Sequence, residues 1–337
     1  MIFTKVILMN EGFNGKTVLV TGGTGSIGSE IVKQVLTYEV KKVIVFSRDE
    51  IKHLMFKKKI QDERLEMIIG DVRDINSIMS VFDRFKIDII YHAAAMKHVI
   101  VSEKYPNECA KTNINGTQNI IDLAVKYNVP QLVTISTDKA ASPVNVMGCT
   151  KYIAEMITLN SNYSCVRFGN VANSRGSVIP VFIDSMLKDK KIIITDPEVT
   201  RFMFTIPDAV KLVIKATNNT KGGDLFILKM KAFRLGDLLD VMLDRIAPRL
   251  GMSKEEIMVD EIGLVPGEKL HEELVNESEI NRIYELDDMY IILKDNQLSS
   301  IYGDLSKAEL KSYGSNDVEL ITKDELEKIV TDYLYIS

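Results

Sequence analysis

The first 165 residues alternate between short apolar runs and longer amphipathic stretches. Thr17-Val18-Leu19-Val20 is apolar and β-branched and leads to Gly22-Gly23. A run of this kind, bounded by glycine, predicts a strand buried on both faces. Ile27, Ile31, Val32 and Val35 follow at three- to four-residue spacing, which predicts a helix with one apolar face. Val43-Ile44-Val45-Phe46 predicts a second strand, Met67-Ile68-Ile69 a third, Ile87 to Tyr91 a fourth and Leu132 to Ile135 a fifth, with helical stretches between them. Apolar strands alternating with helices predict an α/β fold: a doubly wound parallel sheet covered on both faces. Past residue 165 the rhythm changes. Short runs at 164–167, 192–195 and 225–228 mix with helices and loops. We therefore divide the chain into a first domain at 1–170 and a smaller C-terminal α/β lobe at 171–337 that carries most of the substrate contacts. Helix 207–219 is expected to return to the first domain.

Composition narrows the function classes. Net charge is −5, with 42 basic and 47 acidic side chains, so the dominant basic surface of a nucleic-acid binder is missing. Anionic ligands must be held by a few local cations and helix N-termini. Cys109, Cys149 and Cys165 match no metal spacing and are expected to be reduced thiols, with no metal bound. No apolar run approaches the roughly 18 residues of a membrane span, and Met1 to Gly15 lacks the pattern of a cleaved leader. A cytoplasmic protein with no membrane partner is expected.

The turn after the first strand carries Gly22-x-x-Gly25-x-x-Gly28, with Thr24, Ser26 and Ile27 between, placed between a strand and a helix. That context makes it a Rossmann-type dinucleotide loop: the glycines allow backbone to approach a pyrophosphate, and the helix N-terminus adds N–H donors. The second strand ends Phe46-Ser47-Arg48-Asp49. A carboxylate there would hold a ribose 2′-hydroxyl, and an arginine would accept a 2′-phosphate. Ser47 and Arg48 come first, which favours NADP; Asp49 keeps NAD open. Asp71-Val72 should lie beside the adenine, and Ala93-Ala94 against the cofactor's phosphate and ribose.

Further motifs carry a resemblance. Gly22-Gly23-Thr24-Gly25, Asp71-Val72-Arg73-Asp74, His92-Ala93-Ala94-Ala95, Asn113-x-x-Gly116-Thr117 and Ser136-Thr137-Asp138-Lys139-Ala140 resemble the extended short-chain dehydrogenase/reductase family. Pro143, Gly148-x-x-Lys151, Arg167-Phe168-Gly169-Asn170, Ser174 to Pro180, Thr200-Arg201-Phe202 and Pro266 to Glu272 resemble its UDP-N-acetylglucosamine 4,6-dehydratases. The likeness spans about residues 13–330.

The resemblance implies a reaction that consumes no cofactor. Hydride leaves sugar C4, the C5 proton becomes acidic beside the new ketone, the C6 hydroxyl departs as water, and hydride returns to C6. Asp138 would be the acid at the 6-hydroxyl and Lys139 the base at C5, its pKa lowered by burial beside the cofactor's positive nicotinamide. Thr137 would hold the sugar near C4, and Lys151 the nicotinamide ribose. Asn113 would fix the active-site helix beside the cofactor. Lys97, His98, Asn170, Arg175, Ser177, Val178, Arg201 and Glu268 would meet the UDP-sugar, arginine suiting a diphosphate through its forked donors.

Two positions depart from the pattern. The tyrosine that ordinarily takes the C4-hydroxyl proton is replaced by Met147, so that proton must leave through Asp138, Thr137 or a water. Val265 stands where relatives often carry arginine, so one diphosphate contact is either missing or supplied by Arg234 or Lys269. Within the resemblance, C5 inversion is favoured over retention, and a homo-oligomer, a hexamer or dimer, is implied. A 4-epimerase and a catalytically silent dinucleotide-binding protein are the rival readings.

Overall fold

The computed structural model describes residues 12–174, 176–294, 302–303 and 305–336. Its centre is a nine-stranded sheet. Seven strands run parallel: β1 (Thr17–Thr21), β2 (Lys42–Ser47), β3 (Leu65–Ile69), β4 (Ile89–His92), β5 (Gln131–Ile135), β6 (Ser164–Arg167) and a later strand at Leu225–Leu228. The alternation read from the sequence appears in space. Val18 and Val20, Val43 and Val45, Ile89 and Tyr91, and Val133 join the core on one face. Leu19, Ile44 and Phe46, Ile90 and Leu132 join the core on the other. A strand whose every residue is buried needs helices on both sides. They are supplied by α1 (Ser26–Val35), α2 (Glu50–Lys59), α3 (Ile75–Arg84), the short α4 (Val99–Lys104) and α5 (Pro106–Ala110), α6 (Gly116–Lys126) and α7 (Val146–Asn160). A single π-helical turn, Lys111–Asn115, joins α5 to α6.

The sheet reverses its winding between β1 and β4, which are neighbours. Such a reversal opens a crevice at the carboxyl ends of the strands, where ligands bind in this class of fold.

The second part of the chain adds β7 (Asn170–Val171), α8 (Val178–Asp189), β8 (Lys191–Ile194), β9 (Thr200–Phe204), α9 (Ile206–Asn219), β10 (Leu225–Leu228), β11 (Lys231–Arg234), α10 (Leu235–Val241), β12 (Met258–Glu261), β13 (Glu273–Val275), β14 (Ile283–Leu286), β15 (Met289–Ile292), β16 (Tyr313–Gly314) and α11 (Lys323–Ile336). Its own core gathers Ile179, Phe182 and Met186 of α8 with Ile192, Phe233, Leu238, Leu326 and Val330.

The division at residue 170 needs correction. The run at 225–228 pairs in parallel with β6, and β15 and β14 continue the sheet antiparallel at the same edge. All four residues of β10 are buried, which only the interior of the large sheet can satisfy. Helix α9 packs on α1, on the first domain's side. The chain thus passes between the lobes more than once. The fourth strand begins two residues later than the apolar run suggested, at Ile89.

Candidate active site

A cleft of about 820 Å³ opens at the carboxyl ends of β1, β2, β4 and β5, between the two lobes. One end is made by the glycine loop. Gly22 has φ +67°, and a Cβ there would stand 2.8 Å from the Ala94 backbone; a Cβ on Gly28 would stand 2.4 Å from the Gly22 carbonyl oxygen. Only glycine lets the loop, the Ala93-Ala94 turn and α1 close up in this way. Helix α1 follows the N-cap residue Gly25, whose lack of a side chain leaves its first turn without a side-chain cap, and its positive end points at this part of the cleft. Thr24, Gly25, Ser26, Ile27, Ser47, Arg48, Asp49, Gly70, Val72, Ala93 and Ala94 line the same end. A narrow glycine cradle, a helix N-terminus without a side-chain cap and small residues opposite fit a dinucleotide.

At the tip of β2 the candidates separate. Arg48 is half-exposed on the cleft wall and lies 3.7 Å from Asp71. The Asp49 carboxylate accepts from the Lys52 backbone N–H at 3.0 Å as the N-cap of α2 and pairs with Lys52 Nζ at 2.7 Å. Those donors, the side-chain one first, hold its pKa below the usual carboxylate range. Ser47 shares hydrogen bonds with Thr24 and His53. Asp71 is turned away: its carboxylate accepts three hydrogen bonds from Arg73, and Gly70 and Val72 line the cleft in its place.

The middle of the cleft is built by the turn after β5. Ser136, Thr137 and Lys139 line the cleft, while Asp138, the first residue of a single 3-10 turn (Asp138–Ala140), turns inward. The Asp138 side chain has no exposed surface. Its Oδ1 accepts from Thr137 Oγ1 at 2.7 Å, Lys139 N at 2.9 Å and Lys139 Nζ at 3.0 Å; its Oδ2 is enclosed with no hydrogen-bond partner among the described residues. Lys139 also pairs with Glu272 at 3.3 Å. Burial alone would lower the Lys139 pKa, as expected from the sequence, but the carboxylates of Asp138 and Glu272 outweigh it and raise the pKa above the ordinary lysine value. In the ligand-free protein these two carboxylates favour the charged lysine.

One wall comes from α7. Met147 and Lys151 lie one turn apart and both line the cleft. Lys151 Nζ donates to the Ile135 carbonyl oxygen, and burial holds its pKa below the lysine range. Asn113 does not line the cleft. Its side-chain amide bonds both the N–H and the C=O of Met96, at 2.8 and 3.0 Å, and donates to Thr150 Oγ1 of α7 at 3.0 Å. It therefore fixes the helix, and its role is positional. His92 is buried beneath, with Nδ1 2.7 Å from Thr21 Oγ1 and Nε2 3.0 Å from Thr117 Oγ1. Burial, aided by Lys151, lowers its pKa to about 3, so it is a neutral strut between β1 and α6.

The far end is lined by Lys97, His98, Asn170, Ser177 and Val178. Ser177 is the N-cap residue of α8, and its hydroxyl oxygen is enclosed with no hydrogen-bond partner among the described residues. Arg175 lies outside the described residues. Arg201 and Glu268 do not line the cleft; Arg201 Nη2 donates to Glu268 Oε1 at 2.8 Å, and the pair stands behind Glu272, 3.9 Å from the Arg201 Nε. Arg234 pairs with Asp237 and Glu198, and Lys269 with Glu273, and neither lines the cleft. Sequence reasoning missed Glu272 as a site residue, although it closes the Pro266-to-Glu272 motif. It also missed Thr112 and Ser136, which line the cleft with enclosed, unpartnered hydroxyls.

A family model for polysaccharide biosynthesis proteins matches residues 18–294. The chain belongs to this family. Among its relatives, an uncharacterized membrane protein of Methanocaldococcus jannaschii is 42% identical over 96% of this chain and 98% of its own length. The inverting UDP-N-acetylglucosamine 4,6-dehydratase of Campylobacter jejuni serotype O:23/36 is 37% identical over 83% of each chain, and other family relatives carry the name UDP-glucose 4-epimerase. The solved structure of Pen from Bacillus thuringiensis superimposes with a TM-score of 0.88 at 39% identity, covering 96% of this chain and 99% of that one. Within this family member no described helix is long and apolar enough to cross a membrane, and the described residues contain no cluster suited to a metal ion.

Proposed function

We propose that the chain is a UDP-N-acetylglucosamine 4,6-dehydratase, a hydro-lyase that yields a UDP-4-keto-6-deoxy-N-acetylhexosamine with inversion at C5. The observation that carries this reading is the Thr137-Asp138-Lys139 turn in the same cleft as the glycine cradle. A reductase or epimerase has no use for an acid and an amine joined in this way at the reacting carbons, and an epimerase would want a tyrosine where Met147 stands. The name and 37% identity of the Campylobacter relative support the same substrate and the inverted outcome.

The dinucleotide would be held by the Gly22–Gly28 loop, Arg48, Val72, Ala93, Ala94 and Lys151. NADP is preferred, because Arg48 stands on the cleft wall beside Ser47 while the Asp49 carboxylate on the same wall is already bonded to the Lys52 N–H and ammonium. When bound, the nicotinamide accepts hydride from C4 and returns it at C6. The protein's own groups do the rest. Lys139 takes the C5 proton once its ammonium has lost a proton. Asp138 supplies the proton that leaves with the 6-hydroxyl. The open N-terminus of α8 with Ser177, together with Lys97, His98 and Asn170, would hold the UDP-sugar, with Arg201 and Glu268 setting the cleft floor from behind. A cytoplasmic location and assembly into a homo-oligomer, a dimer or hexamer, belong to the same proposal. Tyr152, Ile153 and Met156 form an exposed apolar stripe on α7 that supports self-association.

The test is incubation of the protein with UDP-N-acetylglucosamine in deuterated water, with proton NMR of the product. The expected product lacks the 6-hydroxyl, carries deuterium at C5 with inverted configuration, and forms without net consumption of NADP. A C4 epimer, or no product, would refute the assignment.

A further inference from the structure

Helix α2 is built against the usual pattern. Its apolar side chains Ile51, Leu54 and Met55 are exposed, while its buried residues are Phe56 and a histidine, His53. An imidazole enclosed where an apolar group would cost less has to be held by its hydrogen bonds. Its Nε2 lies 2.7 Å from Ser47 Oγ and 3.1 Å from the Ser47 carbonyl oxygen. Its Nδ1 is enclosed with no hydrogen-bond partner among the described residues. Together these contacts fix the ring proton. A carbonyl oxygen only accepts, so Nε2 must carry the hydrogen; on Nδ1 it would be a buried donor with nothing to bind. Burial holds the His53 pKa below the ordinary histidine value, against the opposing pull of the Ser47 carbonyl and the Asp49 charge, so the ring carries one proton. Ser47 Oγ therefore accepts from His53, and its own hydroxyl proton cannot turn back toward the ring. That proton goes to Thr24 Oγ1, at 2.8 Å, or into the cleft that Thr24, Ser47 and Arg48 line together.

We propose that His53 is a positioning residue for cofactor choice: its Nε2–H holds Ser47 as a hydrogen-bond donor toward the cofactor's adenosine 2′-substituent, so that the site favours a 2′-phosphate over a 2′-hydroxyl. This rests on the NADP reading above. A phosphate oxygen only accepts, and a hydroxyl that donates to an anion makes a stronger bond than one that donates to a neutral group. In the ligand-free protein the Ser47 proton has Thr24 Oγ1 on the glycine loop as its acceptor, and a phosphate on this wall would take that place. Without the ring N–H, the Ser47 hydroxyl is free to rotate and to present lone pairs to the phosphate, which repel it. A ribose 2′-hydroxyl both donates and accepts, so it binds either orientation of Ser47. Arg48 acts at longer range, drawing the phosphate to the wall, and the Ser47 donor counts once the phosphate is there. His53 itself does not line the cleft, so its effect passes through Ser47.

The experiment is calorimetric titration of the full chain, freed of bound dinucleotide, with NADP and with NAD. His53→Leu should weaken NADP binding by about tenfold and change NAD binding by less than about twofold. The retained NAD affinity shows that the variant is folded; an equal loss of both dinucleotides would make His53 a packing residue and overturn the proposal. His53→Gln places an amide N–H near the position of Nε2 and should restore most of the NADP affinity. Ser47→Ala should lose about the same tenfold, and adding His53→Leu to it should lose nothing further, because the histidine acts only through Ser47. Losses that add in the double variant refute that route. A second readout needs no ligand: heteronuclear NMR of protein labelled at its histidine nitrogens, with His53 assigned by its disappearance in His53→Gln, should find the proton on Nε2. A proton on Nδ1 overturns the orientation of Ser47. If the unchanged protein binds NAD as tightly as NADP, the cofactor reading fails and takes this inference with it; if it prefers NADP and His53→Leu prefers it equally, the inference alone is wrong.

Discussion

Lys139 stands between two carboxylates, and this decides how it can act. A free amine is needed to take a proton from C5, yet Asp138 at 3.0 Å and Glu272 at 3.3 Å stabilise the ammonium. The pKa lies above that of an ordinary lysine, so the stabilisation it contributes is present below the unfolded lysine pKa and is lost as pH rises through the folded value. Glu272→Gln removes one of the two charges, and the lysine pKa must fall. We expect the acid limb of the pH profile for C5 deuterium exchange to move to lower pH in this variant, while Glu272→Asp keeps the limb near its original place. An unmoved limb would show that Glu272 only packs. The residue is 133 positions from Lys139 in the chain, which is why the lysine's charge state was not legible from its neighbours; burial was visible in the sequence and the compensating partner was not. Asp49 lines the cleft as expected, and its second role was also legible: an aspartate just before an amphipathic run is an N-cap signal.

At the level of elements, α7 carries Met147 and Lys151 into the cleft, and its placement depends on one buried guanidinium. Arg167 at the end of β6 is fully buried, and all five of its N–H groups are bonded: two to Glu155 of α7, two to Glu279, and one to the Leu274 carbonyl oxygen. One side chain thus ties sheet, active-site helix and the segment after β13. Removing one partner of such a buried network leaves an undercompensated charge and costs about 3–5 kcal/mol. Glu155→Ala should therefore lower the thermal midpoint by on the order of 10 °C, measured by calorimetry on the ligand-free protein; a loss within experimental error would mean that Glu279 alone satisfies the arginine. The strands of the first half were legible because each is a continuous apolar run, and the periodicity of α1 is plain. The outer strands β14 and β15 were not. They are four residues each, and only their pairing with β10 identifies them as sheet.

Across the whole molecule, residues from both halves of the chain line one cleft, so ligands bound there would act on the stability of the entire chain. A ligand that binds only the folded state stabilises it by about 2.7 kcal/mol at a hundred times its Kd. Two cofactors that differ by a 2′-phosphate should then separate in their thermal midpoints through whatever contacts that phosphate. Arg48 is a cation on that wall, beside Lys52, whose ammonium is paired with Asp49. Its ion pair with Asp71 is long, at 3.7 Å, and half-exposed, so it stabilises the free protein by less than about 1 kcal/mol. The ligand-free midpoint should therefore hardly change in Arg48→Ala. In the unchanged protein NADP should raise the midpoint more than NAD at equal concentration, and the excess should shrink as salt is added, because the contact is between exposed charges. In Arg48→Ala the excess should vanish while the rise caused by NAD stays, since the pyrophosphate is held by the glycine loop and the N-terminus of α1. Should NAD stabilise the unchanged protein as well as NADP, the cofactor preference read from Ser47-Arg48 would be wrong and the fold's dinucleotide site would stand without it.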